Sequence, residues 1–127
     1  MTILLTCLMI AMLLPYLAKG PVAVAMARMG GYDNHHPRSQ QAKLEGFGAR
    51  ALAAHQNAFE SLLIFGLATL AVLATDKVNG TAEIAAVVHV VARIGYQLAY
   101  LYDTDKLRSS LWFVGIIASF TLLAQAF

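Results

Sequence analysis

Apolar positions gather into four long blocks, about 3–26, 51–74, 81–101 and 109–127, separated by stretches that hold most of the charges. Each block is close to the roughly 20 residues that a helix needs to cross a hydrocarbon core about 30 Å thick. A closed β-barrel also satisfies its backbone in lipid, but its strands alternate apolar and polar side chains. Runs such as Leu62-Leu63-Ile64-Phe65 and Val87-Val88-His89-Val90-Val91 do not alternate. The pattern predicts an all-α protein, an integral membrane four-helix bundle, as a single domain over residues 1–127.

The punctuation between blocks refines this picture. Pro15, Gly20 and Pro21 predict a kink or an early exit of the first helix near residues 19–21, because proline removes a donor and bends the chain. Residues 28–47 carry Gly30-Gly31, Asp33-Asn34 and Pro37 and read as a loop. The later connections, 75–80 and 102–106, are short, which makes the second, third and fourth helices successive antiparallel neighbours. The first block is read as a retained span and not a cleaved leader, since no basic residue precedes it and Lys19 lies within it.

Composition narrows the function classes. The 127 residues are 59% hydrophobic and 13% charged, too few charges to coat a soluble domain. A net charge of +2, scattered along the chain, gives no nucleic-acid footprint. Cys7 is the lone cysteine, so neither an internal disulfide nor a thiolate cluster can form. Asp33-Asn34-His35-His36-Pro37 lacks a third spaced ligand and reads as a solvated turn, leaving no metal site. Arg28, Arg38, Lys43 and Arg50 flank the first loop, Lys106 and Arg108 the third, and Lys77 alone the second. The positive-inside rule then puts loops one and three in the cytoplasm and both termini outside.

Ionisable groups inside spanning helices are expensive and call for partners. At about 100° per residue, Arg50, Ala53, Asn57 and Glu60 share one face of the second span. His89, Arg93, Tyr96 and Tyr100, spaced four, three and four, share one face of the third. Glu60 and Arg93 come to similar depths, so a direct pair between them is expected. Together with Arg108 these residues make a donor-rich region suited to a small polyanion. His55 and His89 can each instead be satisfied by a bond across a helix interface. Trp112, Phe113, Tyr16 and Tyr32 fit interfacial anchoring as well as binding.

The stretch PRSQQAKLEGFGARALAAHQNAFESLLIF, from Pro37 to Phe65, resembles the start of the second helix in the MAPEG family, the membrane-associated proteins in eicosanoid and glutathione metabolism. Ala54-His55, Asn57 and Glu60 match that family's pattern, and Ala92-Arg93 through Tyr96 and Tyr100 to Arg108-Ser109 is similar to its third helix and the opening of its fourth. Ala53 stands where the family usually has arginine, with Arg50 one turn earlier on the same face, and Tyr96 stands where some members have histidine.

The resemblance implies a homotrimer with glutathione bound between subunits near the cytoplasmic face. Arg28, Arg50, Asn57, Glu60, Arg93, Tyr96 and Tyr100 would hold the tripeptide, and Arg108 with Ser109 would face the sulfur. The expected activity is a glutathione transferase or peroxidase acting on hydrophobic electrophiles that arrive through the lipid bilayer. A non-enzymatic lipid-binding or scaffold protein of the same fold is the alternative. A small transporter fits less well, because the polar stripes gather toward one face of the membrane.

Overall fold

A computed structural model describes all residues, 1–127, as five helices with no strand. These are α1 (Thr2–Ala27), α2 (Pro37–Gln41), α3 (Gly46–Ala74), α4 (Gly80–Leu101) and α5 (Asp105–Ala124). The four long ones are apolar and long enough to cross a membrane, and the protein is a multi-pass integral membrane protein.

The early exit expected near residues 19–21 does not occur. α1 continues through Pro15 and Pro21 to Ala27. Proline is tolerated inside helices in lipid, and α3 packs across at this level, where His55 Nδ1 donates to the Pro15 carbonyl at 2.8 Å. α1 ends instead at Ala27, and the turn that follows holds Gly30 and Gly31, whose φ values of 93° and 117° belong to glycine.

The first connection is also more ordered than a loop. Pro37 starts the short helix α2, where a missing N–H costs nothing. Gln40 then ties α2 back to α1, accepting from Asp33 N at 2.9 Å and donating to the carbonyls of Gly31 and Met26 at 2.7 and 3.2 Å. Asp33 Oδ1 accepts from the backbone N–H groups of His35 and His36, which makes this stretch the expected turn.

The most extensive packing is of α4 on α5 and of α1 on α3, with α3 touching both α4 and α5. Leu4, Cys7, Phe65, Val72, Ala82, Ala86 and Leu122 form the main apolar core, in the half of the bundle nearest the termini. At that end Lys77 Nζ donates to the Phe127 carbonyl at 2.6 Å, Asn79 bonds Gln125 at 3.2 Å, and the terminal amine lies 3.2 Å from Glu83. Asn79 also caps α4, accepting from Ala82 N at 2.9 Å. Large apolar side chains such as Leu63, Ile84, Val91 and Ile117 point outward, as a lipid solvent allows.

Candidate functional site

The half of the bundle nearest the α1–α3 connection is polar where α3, α4 and α5 meet. On α4, His89, Arg93 and Tyr96 are 2%, 3% and 5% exposed. α5 answers with Arg108, Trp112, Gly115 and Ser119, whose spacing of four, three and four repeats that of the α4 stripe. Because the helices run antiparallel, Tyr100 meets Arg108, Arg93 meets Gly115, and His89 meets Ser119.

Arg93 is the centre of the seam. One of its terminal nitrogens donates to Asn57 Oδ1 at 2.7 Å and, more weakly, to the Asn57 carbonyl at 3.3 Å. Asn57 Nδ2 in turn donates to Glu60 Oε2 at 2.8 Å. The direct Glu60–Arg93 pair expected from helix depth is therefore not formed. Asn57 meets Arg93 directly, whereas Glu60 lies almost a turn further on, exposed at the outer edge of the seam. The amide turns its oxygen to the cation and its NH₂ to the carboxylate, polarised by both.

A ladder of cations and rings runs from Arg93 toward the membrane face. The Arg93 guanidinium lies 4.0 Å from the Tyr96 ring centroid, Tyr96 and Tyr100 meet edge-on at 5.6 Å, and Arg108 lies 4.6 Å from the Tyr100 centroid. Each contact attracts through the ring quadrupole without using the donor hydrogens that point elsewhere. Gly115 makes the approach possible. A methyl group there would lie 3.3 Å from Arg93 Cδ and 3.9 Å from His89 Nδ1.

His89 closes the inner end. Its Nδ1 lies 3.0 Å from the Gly115 carbonyl, which can only accept, so this nitrogen is assigned the proton. Ser119 Oγ is 2.9 Å from the same nitrogen and also donates to the Gly115 carbonyl at 3.0 Å. Nε2 faces Ser61 at 3.5 Å, and Phe65 stacks on the ring at 4.1 Å. His55 and His89 are thus both satisfied across helix interfaces. A small cavity of about 80 Å³ opens beside His89, lined by Asn57, Glu60, Ser61, His89, Arg93 and Trp112 among others.

The remaining sequence candidates lie apart from this cavity. Arg50 stands at the mouth of α3, its Nη1 3.9 Å from Asp103 Oδ2 and its Nε buried without a hydrogen-bond partner. Arg28 is exposed at the C-cap of α1, and Ser109 is exposed on α5, turned from the Arg108 face. Ser61, Gly115 and Ser119 line the cavity and were not singled out by the residue pattern. The repeated spacing on α5 was the available signal, masked by small residues in an apolar segment.

Four membrane-length helices around a cation-rich seam define an integral membrane protein with a polar site inside its bundle. The MAPEG family model matches residues 3–127, essentially the whole chain, and the protein belongs to that family. No curated protein and no solved structure matches the chain.

Proposed function

We propose that the protein is a glutathione-dependent transferase or peroxidase acting on hydrophobic electrophiles delivered through the bilayer. The family includes enzymes of both kinds. The observation that carries the reading is a surplus of donors. Arg50, Arg93 and Arg108 face the seam or its mouth, Glu60 is the carboxylate beside it, and the buried Arg50 Nε has no partner. Burying such groups unsatisfied costs about 1–3 kcal/mol or more each, which a ligand bearing carboxylates offsets.

The residue types suit the charged groups of the tripeptide. Arg93, Arg50 and Tyr100, with Arg28 from the end of α1, offer donors to its two carboxylates, and Glu60 with Asn57 offers acceptors to its amine. Bound there, glutathione supplies a thiol that is nucleophilic as thiolate. Arg108 lies in the first turn of α5, where free helix N–H groups add to its positive field, and it favours the thiolate over the thiol. The seam is open at the Glu60 edge, and in this reading a second subunit of a homotrimer closes it. Loops one and three face the cytoplasm, following the distribution of basic residues.

The test is a thiolate difference spectrum at neutral pH. A thiol of pKa about 8.5 is only a few per cent ionised there, and a cation within about 4–6 Å lowers its pKa by 1–3 units. Wild type mixed with glutathione should show thiolate absorbance. Arg108→Ala should lose at least tenfold of it while keeping most of the binding. Binding without thiolate would favour the second reading, a lipid-binding or scaffold protein, which the half-buried Ala53 in place of the family arginine supports.

A further inference from the structure

A second polar recess lies on another face of α3, beyond the seam and outside the function proposed above. It has a volume of about 500 Å³ and is bounded by α1, α2 and α3. Lys19 from α1 and Arg38 from α2 supply its cations, and Tyr32, Gln41 and Gln56 add further polar groups. No carboxylate lines it, and neither Lys19 nor Arg38 forms an ion pair. The Lys19 ammonium lies 6.0 Å from the Tyr32 ring centroid, at the limit of a cation–π contact.

Its depth identifies the ligand chemistry. Lys19 is eight residues before the end of α1, about 12 Å along the helix at 1.5 Å per residue, and its four-carbon stem lets the ammonium reach from an apolar surface toward water. Below it the surface turns to hydrocarbon. Tyr16, Leu17, Phe59 and Leu63 are all exposed, and Tyr16 meets Phe59 edge-on at 6.0 Å. Phe59 also lines the recess. A cationic recess continuous with an apolar, outward-facing band suits an amphiphile with an anionic head. A soluble phosphate would use the cations and leave the band idle.

We propose that this recess binds an anionic phospholipid, with the phosphate between Lys19 and Arg38 and an acyl chain over Tyr16, Phe59 and Leu63. Arg38 is exposed and Lys19 half-buried, and a solvent-accessible pair of this kind holds an ion weakly in water. Beside an anionic leaflet each basic residue contributes roughly fivefold in affinity, so the pair contributes on the order of 30-fold.

Native mass spectrometry of the purified protein tests this, with phosphatidylglycerol and phosphatidylcholine of matched acyl chains as probes. Wild type should retain phosphatidylglycerol in preference, and the preference should shrink as ionic strength rises. K19Q/R38Q should weaken phosphatidylglycerol binding by roughly 30-fold and leave phosphatidylcholine unchanged. K106Q removes a charge from another connection and should leave both unchanged. Equal retention of the two lipids by wild type, or an equal loss in K106Q, would overturn the proposal. So would displacement by excess glycerol phosphate, which would make the recess a soluble-phosphate site. A glutathione titration separates this proposal from the function above. If K19Q/R38Q loses glutathione or its oligomeric mass with lipid binding unaltered, the recess belongs to the tripeptide site or to a second copy of the chain, and the lipid proposal fails alone.

Discussion

In the half of the bundle nearest the termini, the positions between helices are taken by Phe65, Val72, Ala82, Ala86 and Leu122, all closed off. In the other half, similar interhelical positions hold Asn57, Arg93 and Tyr96, with only a small apolar cluster of Val22, Met26 and Ala51 between α1 and α3. Lipid is as apolar as leucine, so apolar burial by itself does not drive helices together in a membrane. The first half therefore relies on close packing, with alanines such as Ala82, Ala85 and Ala86 letting helices approach. The second half relies on hydrogen bonds and cation–ring contacts, and these are left incomplete. One half holds the bundle, and in the function proposed above the other keeps donors available for a ligand.

Substitutions in the two halves should therefore differ in kind. Phe65→Ala opens a cavity in the apolar half and removes the ring stacked on His89. It should cost roughly 3–5 kcal/mol, read by reversible unfolding in detergent, and a loss below 1 kcal/mol would show that this half is not the tightly packed one. Asn57→Ala strands Arg93 and should cost about 1–3 kcal/mol together with glutathione affinity. Glu60→Gln, at the exposed edge, should cost less, and a double-mutant cycle should couple Asn57 to Arg93 more strongly than Glu60 to Arg93. The reverse ranking would restore the direct ion pair.

Gly115→Ala pushes a methyl group toward Arg93 Cδ and should cost about 1–2 kcal/mol by overpacking. Its glutathione affinity should fall while α-helical circular dichroism is unchanged; unaltered affinity would mean that the Arg93 position does not matter to the ligand. The smallest effect should come from Asp103→Asn. Its contact with Arg50 is 3.9 Å long and the Asp103 side chain is 68% exposed, so stability should change by less than about 0.5 kcal/mol.

Much of this was legible in residue order. The apolar blocks lie close to the four long helices, and the stripe His89, Arg93, Tyr96 and Tyr100 is the face of α4 that turns inward. The helix repeat is local, so side-chain spacing fixes which residues share a face. α2 was not foreseen, because a five-residue helix has no periodicity to read and depends on Gln40 reaching back to α1. The insertion of Asn57 between Glu60 and Arg93 was missed because depth estimates locate two residues along parallel axes but leave the rotation of each helix undetermined.

The sequence by itself determined the membrane class, the number of spans, the polar faces and the family, since each depends on hydropathy or spacing along one chain. Only the tertiary structure decided which groups meet. It paired His89 with Gly115 and Ser119, placed the Arg93 stem against a glycine, left Arg50 Nε without a partner, and gathered Lys19 and Arg38 around a separate recess. Those contacts depend on how far each helix slides and turns against its neighbours, and small residues such as Gly115 set that distance while leaving little mark in the hydrophobic pattern.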